Sequence, residues 1–195
     1  MTKNEIQKYL SVRFLAEGFQ NIHVDRIASE LKISKKTIYA EFDNKKMLVD
    51  STIMNMLNEA YGNAIYIVSN ESPFVEKFYM IFDIVKKNLK AFDDISLAEL
   101  KRTYPGIWVK VARFRKHNII PLLRLLITSG INKGVLNDHP AELYLKLIYG
   151  AINEVTKRNT KHFEWELDHL LKIVLNGALT KKGKRFLNYN LVPIN

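Results

Sequence analysis

Cysteine is absent from the 195-residue chain, so no disulfide can brace it, and a chain of this length buries a self-sufficient core without one. A reducing compartment fits that absence. Also missing is any apolar run of membrane-spanning length. The most apolar stretch, "NIIPLLRLLITSGI", is broken by Pro121 and Arg124 and falls short of the roughly 20 apolar residues that a span needs. The amino terminus, "MTKNEIQKYLSVRFL", sets charge into every turn where a signal peptide has an unbroken apolar core. A cytoplasmic protein, neither exported nor membrane-bound, is therefore expected. Catalytic signatures are lacking too: there is no cysteine nucleophile, no phosphate loop of the "GxxxxGK" kind, and the five histidines are scattered. An enzyme is not expected, and neither is a cofactor.

What the chain has in excess is positive charge, +10 in formal terms with a pI near 9.6. Such an excess favours a polyanionic partner, nucleic acid or an anionic surface, and says nothing about fold. It is also dispersed. Residues 1–50 hold nine Lys/Arg against seven Asp/Glu, so only +2 lies there.

Apolar residues recur at helical spacing almost throughout, no stretch alternates long enough to argue for a sheet, and no internal repeat stands out. The expected class is all-α with about nine helices. Ile6, Leu10 and Phe14 stripe a first helix that stops near Gly18. Val24, Ile27, Ala28 and Leu31 mark a short second one, and Ser34 can cap a third of about two turns. A long fourth helix starts near Lys45 and ends at "NESP". Phe74 to Phe92 carry the fifth, and Ser96 with Glu99 has capping-box spacing for a short sixth that ends before Pro105. Trp108 to Leu126 form a longer one, kinked or split at Pro121, followed by helices near 140–157 and 162–179.

One stretch asks for a partner. In "LKISKKTIYAEF", Ile38 and Phe42 share a thin apolar seam, while Lys36, Thr37, Tyr39 and Ala40 fan around the other sides. Two short helices joined by the "KIS" connection, the second presenting lysines and hydroxyls outward, fit a helix-turn-helix whose second helix enters the major groove. A solvated charged face is the bland alternative.

The longer run "FLAEGFQNIHVDRIASELKISKKTIYAEFDNKKMLVD" resembles the amino-terminal DNA-binding domain of TetR-family (TetR/AcrR) transcriptional regulators. The likeness rests on Phe14, Gly18, Phe19, Val24, Ile27, Ala28, Ile33, Ser34, Lys35, Thr37, Ile38, Tyr39, Phe42, Lys45 and Leu48. It is strong over residues 3–50 and continues in length, helix order and phrases such as "TYPGIWVKVARFR". It implies a three-helix DNA-binding domain over 1–48 and a larger helical regulatory and dimerisation domain over 49–195. By the same resemblance His23, Lys35, Lys36, Thr37, Tyr39 and Lys45 meet double-stranded operator DNA. Lys32 and Lys36 stand where many members have glycine, Glu41 where histidine is frequent, and Ile22-His23 where threonine or serine opens the second helix. Lys32 must then take a turn that glycine enters at lower cost, Glu41 turns away from phosphate, and His23 caps poorly.

The resemblance further implies a homodimer through the last two helices and a small-molecule effector of unknown class. Leu147, Ala151, Val155, Leu167, Leu171 and Val174 lie on apolar stripes wide enough to need both a core and a partner. Leu57, Tyr61, Phe78, Phe82, Tyr104, Trp108 and Phe114 are the candidate pocket, although aromatics at helical spacing also make plain core. His162, Glu166 and His169 mimic ligand spacing, but a solvated helix face explains them equally well and no metal is assigned. The tail "TKKGKRFLNYNLVPIN" is basic, and its residues fit both a loose end and a segment packed on the body. The expected function is a ligand-responsive, sequence-specific repressor. An effector-independent DNA-binding protein is the runner-up, and an all-α enzyme a distant third.

Overall fold

A computed structural model describes residues 1–17, 23–89, 94–158 and 163–190. Among them the chain forms eleven α-helices and no strand: α1 (Lys3–Glu17), α2 (Val24–Glu30), α3 (Lys35–Glu41), α4 (Lys45–Ser69), α5 (Phe74–Leu89), α6 (Asp94–Thr103), α7 (Pro105–Phe114), α8 (Ile120–Asn132), α9 (Ala141–Arg158), α10 (Phe163–Ala178) and α11 (Lys181–Asn190). A π turn, Arg115–Ile119, joins α7 to α8. The all-α class holds, with two helices more than the periodicity predicted. One comes from Pro121. It has no N–H for the carbonyl four residues back and its ring crowds that carbonyl, so the expected kink takes the form of a widened π turn. The other is α11, formed by the basic tail. The predicted stops at Gly18 and Phe92 lie outside the described residues, and Ser96 falls inside α6 rather than at its start.

The helices group into two compact units, Met1–Tyr61 with Lys87–Phe114 and Gly62–Lys86 with Arg115–Asn195. In the first, Ile6, Leu10, Phe14, Ile38, Leu48 and Ile53 are almost completely buried in one apolar cluster, which also takes in Leu100, Ile107 and Val111 from α6 and α7. The stripe expected on α1 is thus the core of this unit. The second unit is built around Phe74, Val75, Ile127, Leu136, Leu175 and Leu179. Gly130 admits close packing here: a Cβ on it would lie 2.6 Å from the Phe74 ring. Lys77 is buried with its ammonium donating to the carbonyls of Val68 (2.8 Å) and Asn70, which closes the carboxy-terminal end of α4. Burial pushes the pKa of that ammonium down, and the nearby charge of Lys133 adds to the effect.

Candidate nucleic-acid interface

The turn between α2 and α3 is set by backbone chemistry. Lys32 sits at φ 54°, the left-handed conformation expected of it. Its N–H donates to the Ser29 carbonyl at 3.1 Å and the Ile33 N–H to the Ala28 carbonyl at 2.9 Å, which is the paired closure of a Schellman stop. A lysine there costs roughly 1–2 kcal/mol of backbone strain that a glycine would not. Three residues on, Ser34 caps α3: the Thr37 N–H donates to Ser34 Oγ at 3.0 Å, and the two hydroxyls lie 2.9 Å apart. His23 occupies the corresponding place before α2 in extended backbone, and its side chain makes no cap, as its type predicts.

Ile38 is completely buried and Phe42 nearly so, which fixes the roll of α3. Lys36, Tyr39 and Ala40 are then left facing solvent, with Tyr39 41% exposed. Lys35 reaches back to an ion pair with Asp25 of α2. Both partners are exposed, so exchanging that carboxylate for a phosphate costs little. Thr37 is half-buried with its hydroxyl engaged by the cap, and Glu41 is half-buried at the end of the helix.

Helix α4 begins with a cap the sequence reading missed. The Met47 N–H donates to Asn44 Oδ1 at 2.9 Å, and an asparagine directly before "KKML" was the available signal. Lys45 and Lys46 are exposed in the first turn, just as Lys35 and Lys36 are in α3, and neither first turn holds an acid. Helix amino termini favour anions, so lysines there oppose helix stability by about 0.3–1 kcal/mol each unless an anion sits beside them, as Asp25 does beside Lys35. Each of the two helix starts is positive and rich in donors.

Ion pairs brace the helices of the first unit. Glu17 and Glu30 each contact both Arg13 and Arg26 at 2.9–3.6 Å, and the Tyr9 hydroxyl donates to Glu30, closing a ring between α1 and α2. Asp50, one turn into α4, is buried and accepts from the Lys110 ammonium of α7, while its Oδ1 has no partner among the described residues. Neither contact had been anticipated. The Arg–Glu spacings of four residues were a local hint for the first, but nothing local signals the second.

Leu57 is buried, Tyr104, Trp108 and Phe114 pack on the cluster of the first unit, and Tyr61 stands edge-on to Phe114 at 5.7 Å. Phe78 and buried Phe82 belong to the second unit, where Phe78 helps line a small closed apolar void with Phe74, Ile127 and Tyr144. On α9 and α10, Leu147 is exposed, Ala151 and Val174 are half-buried, and Val155, Leu167 and Leu171 face the interior of the chain. The large apolar residues turned to solvent on these helices are Leu143, Leu147, Tyr149, Trp165 and Ile173. His162 lies outside the described residues, and His169 stacks on Trp165 with ring centroids 4.0 Å apart. No group of three metal-ligating side chains comes together among the described residues, where no helix is long and apolar enough to cross a membrane.

Residues 13–52 match the bacterial regulatory proteins of the TetR family. Over 151 residues the chain is 28% identical to YvaF of Bacillus subtilis, an uncharacterised helix-turn-helix-type transcriptional regulator, covering 73% of this chain and 79% of that one. Among solved structures, a TetR-family regulator from Agrobacterium tumefaciens superposes with a TM-score of 0.75 at 14% identity, over 91% of this chain and 97% of the other. A protein from Saccharomonospora viridis, classed as a transcriptional regulator and solved in complex with choline, gives 0.72 at 14% identity, over 92% and 98%. The structural likenesses speak for the fold.

Proposed function

On the premise that the chain belongs to the TetR family of DNA-binding transcriptional regulators, we propose that it is a homodimeric repressor that a small molecule releases from its operator. The observation that carries the reading is the exposed face of α3, Lys36, Tyr39 and Ala40, together with exposed lysines in the first turns of α3 and α4, neither of which contains an acid. His23, Lys35, Lys36, Thr37, Tyr39 and Lys45 are the DNA contacts, within a reading domain of residues 1–48 attached to a regulatory domain of 49–195. Lys35 and Lys45 neutralise phosphates, Tyr39 and Thr37 offer hydroxyls to them, and Lys36 is free for a guanine edge or a phosphate. The protein is non-enzymatic in this reading and works in the cytoplasm, where its operator is.

For the dimer, Leu143 and Leu147 of α9 with Trp165 and Ile173 of α10 supply the outward apolar surface. Ala151 and Val174 border it, and Val155, Leu167 and Leu171 anchor the same helices from inside. Apolar side chains this exposed on neighbouring helices are otherwise an aggregation liability. Two linked heads must meet major grooves about 34–36 Å apart, so a small tilt of either releases both.

The effector is taken beside the reading unit, among Leu57, Tyr61, Tyr104, Trp108 and Phe114. Burial raises the pKa of the Tyr104 phenol, and its hydroxyl has no partner among the described residues, which leaves a donor for a ligand. The Asp50–Lys110 pair gives a ligand near α7 a direct grip on α4. Such a ligand acts only through different affinities for the DNA-competent and incompetent states. Phe78 and Phe82 remain candidates for a site in the other unit.

The test is a mobility shift on the DNA upstream of the protein's own gene. Tyr39→Ala and Lys45→Ala are expected to bind about tenfold or more weakly with the fold intact, and Lys45→Ala to flatten the salt dependence by about one unit. Leu147→Glu should run as a monomer that shifts the operator poorly. Unchanged affinity and slope in folded Lys45→Ala would overturn the docking.

A further inference from the structure

The carboxy-terminal helix α11 is attached to the body with more care than a loose tail needs. Thr180 caps it, accepting from the Gly183 N–H at 3.0 Å, and ties it to the turn after α8 by donating from its hydroxyl to the Gly134 carbonyl at 2.7 Å and from its N–H to the Val135 carbonyl at 3.0 Å. Lys182 Nζ donates to the Lys133 carbonyl at 2.8 Å. Gly183 lies so close to this turn that a Cβ would sit 2.3 Å from the Val135 oxygen, and Leu187 is buried one turn on. These contacts fix which side of the helix faces out. At about 100° per residue, Lys181 and Arg185 centre on the side opposite Gly183 and Leu187, with Lys182 and Lys184 at its two flanks.

That helix carries cations and no acid. From residue 169 to the end the sequence has five Lys/Arg and no Asp or Glu, which is half of the net charge of +10. Lys181, Lys182, Lys184 and Arg185 are all exposed, and none forms an ion pair with any described residue. Two of these lysines stand in the first turn of the helix, where its own dipole disfavours them. Local stability does not account for the arrangement. A polyanion does.

We infer that α11 is a second DNA-binding surface, indifferent to sequence, in which Lys181, Lys184 and Arg185 hold the phosphate backbone of duplex DNA independently of the contacts made by α3. Charge complementarity supports it: side chains on successive turns recur about every 5.4 Å, within reach of neighbouring phosphates, and the Arg185 guanidinium suits a phosphate bidentately. An anionic bilayer is the other polyanion, but a helix lying in a bilayer needs a free apolar face. Here Gly183 and Leu187 are turned to the body, and among the described side chains of the helix Phe186, 40% exposed, is the apolar one left outside. Backbone contacts of this kind carry no sequence information, so the surface raises affinity for DNA in general and leaves operator choice to α3.

The experiment uses the full-length protein, a duplex lacking the operator, and anisotropy titrations over a range of salt. Lys181→Gln/Lys184→Gln/Arg185→Gln is expected to lower the salt slope by about two to three units, since each phosphate neutralised contributes about 0.9. Its affinity for the duplex should fall at least tenfold at low salt, with unchanged thermal unfolding. Arg185→Gln alone should lower the slope by about one. The same losses should appear in a Lys45→Ala background, which separates this surface from the α3 docking: failure of Lys45→Ala to weaken operator binding would sink that docking and leave α11 standing. Slopes equal to the parent protein in both α11 variants would overturn the inference. So would a loss confined to phosphatidylglycerol vesicles with DNA binding intact.

Discussion

Residues 1–50 hold nine Lys/Arg beside seven Asp/Glu, whereas the chain from residue 169 onward holds five Lys/Arg and no acid. By net charge the second region is the better polyanion binder, yet it is in the first that we propose the base-reading edge. The acids explain the difference. Glu17 and Glu30 lock α1 to α2 through Arg13 and Arg26, and Asp25 holds Lys35 across the turn. Each such pair removes a positive charge from the total, and the Arg–Glu ring braces α1 against α2, the pair that carries α3. A surface that reads bases needs such bracing, because base contacts work only in register. A surface that merely attracts phosphates does not, and α11 leaves its cations unpaired. The turns feeding the two regions repeat the contrast. The chain closes α2 with Lys32 and α8 with Gly134, at φ 54° and 65° and with the same pair of backbone hydrogen bonds. Only the second uses the residue that such backbone favours.

The strongest way to break the comparison is to take the anchor from α3. Ile38→Ala empties a site that is completely buried and should cost about 2–5 kcal/mol in denaturant unfolding, with loss of specific binding. A cost under one would mean that the roll of α3 is set elsewhere. Next in size is Gly183→Ala, whose Cβ meets a backbone oxygen that cannot turn aside. It should destabilise by about 1–3 kcal/mol and raise hydrogen exchange at the Thr180 and Lys184 amides, leaving operator choice unchanged. The smallest effect runs the other way. Lys32→Gly relieves left-handed strain but adds freedom to the unfolded chain, so a net gain of about 0.5–1 kcal/mol is expected in the same unfolding measurement. A loss of stability instead would show that the lysine side chain contributes contacts the turn depends on.

Much of the reading unit was legible because its signals are local. The i, i+4 recurrence of Ile6, Leu10 and Phe14 named its core, Ser34 three residues before Thr37 named a cap, and the lysine in a glycine position named a strained turn. The face of α3 followed from two apolar residues, since so thin a seam leaves one way to lie down. On α9 and α10 the same reasoning gave too little. Their apolar stripes are wide, and Leu167 and Leu171 look no different in sequence from Trp165 and Ile173, yet the first pair is inside and the second outside.

By itself, then, the sequence determined the all-α class, most helix positions, the helix-turn-helix and the exposed lysines of its second helix. Those depend on periodicity, capping and turn chemistry, which act over a few residues. Tertiary structure alone decided that Lys110 meets Asp50 sixty residues away, which side of α10 is buried, and that the basic tail becomes a helix seated on the turn at Val135. Each of these turns on which distant surfaces meet. A helix with apolar residues on more than one side, or a carboxylate awaiting a cation from another helix, has no local preference strong enough to choose its partner; packing against the rest of the chain makes the choice.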